Sequence, residues 1–332
     1  MQVIRWGIIG CGDVTEIKSG PAFNKIKDSQ LVAVMRRTTE KARDYAQRHQ
    51  VPKWYDDADK LIHDADVNAI YIATPPGSHA EYAIKVAGAE KPVYVEKPMA
   101  RNYAECEAMI KACQAANVPL FVAYYRRRLP SFLKVKELID TGVLGKIMLV
   151  NLCFYETPRQ EDSNQANPPW RLLPELAGGG YLFDMGSHQL DILDFLLGPI
   201  VDVWAIVTNQ GGLYSVEDTV CAGFKFESGV VGTGRWCFAA SAASRCDRIE
   251  IIGSRGRVTF PCFALEKPVL LETLTEQAEF VFSPPAHVQQ SLIQTVVDEL
   301  LGRGQCPSTG ETGKRTSWVL DKIIEKYRQQ FY

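Results

Sequence analysis

Val3-Ile4-Arg5-Trp6-Gly7-Ile8-Ile9-Gly10-Cys11-Gly12-Asp13-Val14 carries the strongest signal in this chain. The apolar run has the character of a buried strand, and it breaks into two glycines one residue apart. A strand ending in Gly-x-Gly leaves backbone N–H groups bare at the start of the next helix, where they and the helix dipole hold a pyrophosphate. Gly10, Cys11, Gly12, Asp13 and Val14 are the residues expected to do this. Thr15 stands at the third position of the dinucleotide fingerprint, where Gly or Ala is usual. Taken alone, the motif also fits a tight strand-to-helix turn.

Further along the chain, Leu31–Met35, Ala69–Ala73, Val93–Val95 and Leu120–Ala123 read as buried strands of the same kind. Helical segments separate them: 39–47, 57–63, 78–87 and 103–116. Continuous apolar strands alternating with amphipathic helices predict a parallel sheet covered on both faces, an α/β doubly wound Rossmann domain over 1–125. After Pro130 the pattern changes. A helix over 131–141 and an alternating strand over 146–155 precede a Pro/Asn-rich loop, 157–174. Gly178-Gly179-Gly180 then introduces one apolar helix running to Leu197. Strands over 201–208, 219–226, 230–237 and 248–252, with a hairpin turn at Glu227-Ser228-Gly229, predict an α+β domain over 126–332 with a mostly antiparallel sheet. The C-terminal helix is expected to pack back on the first domain.

The charge is nearly balanced, with 37 basic and 39 acidic residues among 332, which gives no reason to expect nucleic acid or a membrane as partner. No run is apolar over the roughly 18 residues a membrane span needs. The nine cysteines are scattered without a Cys-x-x-Cys pair, so reduced thiols and a cytoplasmic location are expected. No His-x-x-x-His pair occurs among the five histidines, and no metal is expected.

In open α/β sheets, ligands lie beyond the carboxyl ends of the strands. The second strand ends in Arg36-Arg37-Thr38, where cofactors lacking the 2′-phosphate usually meet an acid. Two guanidinium groups there favour the 2′-phosphate of NADP, with NAD as the other option. The third strand ends Thr74-Pro75-Pro76-Gly77-Ser78-His79, an N–H-poor turn suited to lie beside a nucleotide, with Ser78 as helix N-cap. Thr74, Pro75 and His79 are candidate cofactor residues. Glu96 and Lys97 follow the fourth strand, and a lysine in that cleft suits proton transfer. Asp184 and His188, four apart on the expected helix, would share a face, with the carboxylate orienting the imidazole.

These motifs, in their order and spacing, make the chain resemble the glucose-fructose oxidoreductase/inositol dehydrogenase (Gfo/Idh/MocA) family. The likeness rests on the glycine turn, Ala73-Thr74-Pro75-Pro76 with His79, Glu96-Lys97-Pro98, 142–147, the triple glycine with Asp184 and His188, and Pro307-Ser308-Thr309-Gly310-Glu311. Trp170-Arg171 resembles the sugar-reducing members, 1,5-anhydrofructose reductase among them. The resemblance implies an open-faced second sheet, a homodimer or homotetramer, and hydride transfer between nicotinamide and a carbinol carbon of a sugar, cyclitol or related polyol. Lys97, Asp184 and His188 fall on the family's catalytic positions. Trp170, Arg171, Tyr125 and Arg127 are candidate substrate contacts, although many relatives carry an asparagine where this chain has Tyr124-Tyr125-Arg126-Arg127. The expectation is an NADP-preferring oxidoreductase. The alternatives are redox-neutral chemistry on a tightly bound cofactor, such as glycoside cleavage, or an NADP sensor, which would not need Lys97, Asp184 and His188.

Overall fold

A computed structural model describes residues 2–164 and 166–331. It divides into two units: 1–127 with 285–314, and 128–284 with 315–332. The single cut expected between 125 and 126 therefore needs correction. The stretch that returns to the first unit is 285–314, while the helix residues from Arg315 onward count with the second.

In the first unit the order is β1 (Ile4–Ile9), α1 (Asp13–Ile17), α2 (Gly20–Phe23), β2 (Ser29–Met35), α3 (Thr39–Arg48), β3 (Lys53–Tyr55), α4 (Ala58–Ile62), β4 (Ala69–Ile72), α5 (His79–Gly88), β5 (Val93–Val95), α6 (Tyr103–Ala115) and β6 (Leu120–Val122). All six strands are parallel in the order β3-β2-β1-β4-β5-β6. Every residue of β4, β5 and β6 is buried, as strands covered on both faces must be. The returning stretch completes this unit at the outer edge of β6. Ser308 Oγ donates to Val122 O at 2.7 Å, Val122 N–H donates to Ser308 O at 3.1 Å, and Phe121 bridges to Thr309.

The second unit contains α7 (Pro130–Asp140), β7 (Ile147–Tyr155), α8 (Pro174–Ala177), α9 (Ser187–Leu197), β8 (Ile200–Thr208), β9 (Thr219–Phe226), β10 (Val231–Cys237), β11 (Cys246–Gly253), β12 (Gly256–Phe260), β13 (Val269–Thr273) and β14 (Gln277–Phe280). α10 (Gln290–Leu300) lies in the returning stretch, and α11 (Gly310–Phe331) ends the fold. The eight strands run β14-β13-β12-β11-β7-β10-β9-β8, antiparallel except for β10 beside β7. Along β7, Val150, Leu152 and Phe154 are buried and alternate with half-buried neighbours, the signature of a sheet covered on one face. On β8, Trp204 and Ile206 are largely exposed.

Candidate functional site

The order of the six-stranded sheet reverses between β1 and β4, and the ends of these strands carry Gly10–Val14 and Ala73–Thr74. Gly10 has φ +90°, and a Cβ there would stand 2.6 Å from Thr74 Cγ2. The N–H groups of Gly10 and Cys11 both donate to Met35 O, at 2.9 and 3.1 Å. These two amides therefore shape the turn, which corrects their expected part as phosphate donors. Gly12, Asp13 and Val14, at the opening of α1, are left for that task. A Cβ on Gly12 would meet only Gly10 O, at 3.9 Å, so the space above it is open. Thr15 satisfies its own hydroxyl by donating to Gly12 O at 2.8 Å, and Tyr45 Oη donates to Thr15 O at 2.8 Å. A threonine at the third glycine position is thus absorbed inside the first turn. Burial pushes the Cys11 thiol up to about 11 and leaves it a neutral filler. These residues fit a dinucleotide pyrophosphate.

At the end of β2, Arg36 Nη1 donates to Cys11 O at 3.3 Å, whereas Arg37 and Thr38 are exposed. Glu16, in α1, is gripped by Arg48 at 2.8 and 2.9 Å and by His49 at 2.7 Å. The Arg48 hydrogen bonds hold its carboxyl at about 2, well below the usual range. Two sequence assignments at neighbouring strand ends need correction. His79 is fully buried: Nε2 lies 2.7 Å from Thr74 O, and Nδ1 lies 3.2 Å from both Pro98 O and Met99 O. Its ring ties two loops together and does not face a cofactor. Glu96 Oε1 accepts from Tyr71 Oη and Gln289 Nε2, each at 2.5 Å, and Oε2 accepts from Lys97 N–H at 3.1 Å. The carboxylate therefore supports the strand end that presents half-buried Lys97, next to a cis Lys97–Pro98 peptide. Ser78 also departs from expectation: its hydroxyl donates to Thr74 Oγ1 at 2.8 Å and does not cap α5.

Tyr125 and Arg127, expected at the substrate, are buried within the first unit. Arg127 is only 3% exposed, and its Nη1 donates to Pro307 O at 3.0 Å, anchoring the returning stretch. Tyr125 lies beneath the Arg126 guanidinium, 4.9 Å from the ring centroid.

In the second unit, the single α-helix expected after the triple glycine is corrected to two pieces, a π turn over Leu182–Gly186 followed by α9. Asp184 sits on the wide turn and His188 on the regular helix, so the i, i+4 rule of one continuous α-helix does not relate them. The Asp184 carboxylate accepts from Arg171 Nε at 3.1 Å, and the Arg171 guanidinium lies 4.5 Å from the centre of the Trp170 ring. Three predicted residues thus form one cluster on the 3₁₀ turn Trp170–Leu172 and the π turn. His188 is 4% exposed, its ring edge-on to Phe263 at 5.9 Å. Met185, next to Asp184, lines a cavity of about 410 Å³ with Glu156, Arg159, Tyr181, Phe238 and Arg245. Tyr181 Oη donates to buried Asp162 at 2.5 Å. Sequence reasoning missed Asp162, Gln289 and Glu217. Each has a partner distant in sequence, Tyr181 for Asp162, Glu96 for Gln289 and Gly180 for Glu217, and for Glu217 the local signal was a pair of acids, Glu217-Asp218, between Val216 and Val220.

Residues 4–124 match the oxidoreductase family with an NAD-binding Rossmann fold, and residues 132–259 match the Gfo/Idh/MocA C-terminal domain. The chain belongs to the Gfo/Idh/MocA family. It is a nicotinamide-dependent oxidoreductase acting on CH–OH groups. This Gfo/Idh/MocA enzyme is 37% identical to oxidoreductase P35 of Formosa agariphila, over 96% of its own length and 97% of that protein. It is 26% identical to the 1,5-anhydro-D-fructose reductase of Ensifer adhaerens, over 93% and 92%. Levoglucosan dehydrogenase in complex with NADH shares the fold of this Gfo/Idh/MocA enzyme with a TM-score of 0.87 at 23% identity, over 99% and 98% of the two chains. Among the described residues, no helix is long and apolar enough to cross a membrane, and no group of three or more His, Cys, Asp or Glu could hold a metal ion.

Proposed function

We propose that this enzyme is NADP-preferring and interconverts a secondary alcohol and a ketone on a sugar, cyclitol or related polyol. The observation that carries the reading is the Trp170–Arg171–Asp184 cluster. It joins an apolar ring face and hydroxyl-bonding groups to the segment bearing His188. The bound dinucleotide supplies hydride-transfer chemistry. In the reducing direction His188 donates the proton to the nascent alkoxide oxygen, Lys97 polarises that oxygen, and Asp184 fixes the imidazole tautomer. The relatives named for 1,5-anhydro-D-fructose and levoglucosan support a carbohydrate substrate. A homodimer or homotetramer belongs to the same reading, supported by Trp204 and Ile206 exposed side by side on β8. Turnover of a panel of sugars and cyclitols with NADP and with NAD tests the whole assignment, and no absorbance change at the reduced-nicotinamide band with any member would overturn it.

Arg36 and Arg37 separate cofactor preference from turn geometry. Arg37→Ala is expected to remove charge-assisted bonds of about 1.5–3 kcal/mol from NADP alone. Arg36→Ala, which frees Cys11 O, should weaken NADP and NAD together. Equal losses for both cofactors in an Arg37→Ala titration would defeat the assignment. Trp170→Ala is expected to raise KM for the polyol about tenfold, ~1.4 kcal/mol, and to leave NADP affinity unchanged. Loss of cofactor binding in that variant would instead place Trp170 at the nucleotide.

A further inference from the structure

We infer that Glu217 is a positioning residue for the segment that carries Asp184 and His188, holding the Gly178-Gly179-Gly180 turn from one side while Arg328 of α11 holds it from the other. The inference rests on the reading of that segment as proton-transfer machinery. Glu217 is 2% exposed, and its Oε1 accepts the Gly180 N–H at 2.8 Å. A Cβ on Gly179 or on Gly180 would stand 3.2 Å from that same oxygen, and one on Gly179 would strike the Phe183 ring at 2.3 Å. A side chain at either position would crowd the contact between the carboxylate and the main chain. On the other side Arg328 Nη2 donates to Gly178 O at 2.5 Å, and Nη1 donates to Asp321 at 3.0 Å. The same guanidinium lies 5.5 Å from the centre of the Phe183 ring.

The grip matters because the π turn starts two residues beyond Gly180. Phe183 N–H donates to Gly180 O at 3.0 Å, so the Gly180 peptide is the hinge from which the π turn unwinds, and Asp184 is the next residue. A π turn is a rare, local widening of a helix and is concentrated at functional sites. Its rotational phase, and hence the direction in which Asp184 leaves the backbone, is set by the two successive peptides that Arg328 holds at the Gly178 carbonyl and Glu217 at the Gly180 N–H. A displacement of about 1 Å at a reacting group costs on the order of 10²-fold in rate.

The holding group is also a switch. Burial raises the Glu217 carboxyl to about 7, against the lowering effects of the Gly180 N–H and the Arg328 guanidinium. Asp218, next in sequence, raises it further, and Tyr214 is the other titratable group that feels its charge. Above pH 7 the carboxylate is a strong acceptor for Gly180. Below it, the neutral acid holds the turn more weakly. The sign for stability is opposite. The folded value lies above the usual one, so the stabilisation from the bound proton is complete below about pH 4.5 and is lost as pH rises through about 7.

Glu217→Gln and Glu217→Ala in the full chain test the inference, with ¹⁵N-glycine labelling to follow the Gly180 amide. In the unsubstituted enzyme the Gly180 resonance and kcat should share an inflection near pH 7. Glu217→Gln should keep cofactor Kd and substrate KM, lose the Gly180 inflection and the kcat inflection that coincides with it while keeping the limb due to His188, and melt higher than the parent above pH 7 but equally below about pH 4.5. Glu217→Ala should lose kcat about 10²-fold with an unchanged Kd for NADP. A Gly180 resonance that still titrates near pH 7 in Glu217→Gln, or Glu217→Ala turnover within twofold of the parent, overturns the inference. If no polyol turns over, the functional reading falls separately, and a Gly180 resonance that does not titrate in the unsubstituted enzyme still overturns the role of Glu217.

Discussion

His188→Ala is expected to lower turnover by about 10²–10⁴-fold, the usual contribution of a positioned general acid or base, while NADP and NAD still bind through the first unit. His188 suits the role because its ring is almost wholly buried and held edge-on to Phe263, which restricts its orientations. Asp184→Asn sharpens the test. It removes a negative charge and leaves the Arg171 guanidinium, now 3.1 Å from a carboxylate oxygen, without its counter-charge. Both changes disfavour an imidazolium nearby. In alcohol oxidation His188 must be neutral and the rate falls on the acid side; in ketone reduction it must be protonated and the rate falls on the alkaline side. Either limb should move to lower pH in Asp184→Asn. Near-normal turnover of His188→Ala across the pH range would sink the assignment and leave Lys97 as the acid.

Gly10→Ala should weaken both cofactors by tenfold or more in a reduced-nicotinamide fluorescence titration. At φ +90° a side chain costs about 1–2 kcal/mol by its backbone conformation alone. The added methyl would also stand 2.6 Å from Thr74 Cγ2, and Thr74 heads the second loop of the proposed nucleotide site. Relief requires either the glycine turn or the Thr74 loop to move, and movement of the turn breaks the two amide bonds to Met35 O. An unchanged affinity would remove Gly10–Val14 from the cofactor site.

The doubly wound unit was legible because its strands are continuous apolar runs, and such runs mark strands covered on both faces. β3 escaped for the same reason: Lys53-Trp54-Tyr55 is three residues long, carries a charge and leaves Trp54 partly exposed at the sheet edge. β12 to β14 went unread because their partners are set by register in a sheet whose one face is open, which weakens the apolar signal. The candidate site was legible at Trp170, Arg171, Asp184 and His188 as residue types but not as geometry. A period of 3.6 was assumed across 181–197, and the widening at 182–186 has no signature in side-chain pattern. Arg127 and His79 look like ligand-binding cations in sequence. Their main-chain partners, Pro307 O for one and Thr74, Pro98 and Met99 for the other, come from backbone placement that no local pattern announces.

The division of the chain fixes an order of events during synthesis. Residues 1–127 leave the ribosome long before 285–314 are made, yet the first unit is unfinished without them. Until Gln289 arrives, Tyr94 Oη lacks its acceptor at 2.9 Å and Glu96 Oε1 lacks one of its two donors. Until Ser308 and Thr309 arrive, β6 is an uncovered edge strand, open to pairing with another nascent chain. The nucleotide-binding half, first to be translated, therefore stays open until synthesis is nearly over, and a fragment cut after residue 127 would carry the glycine turn on a sheet with an uncovered edge.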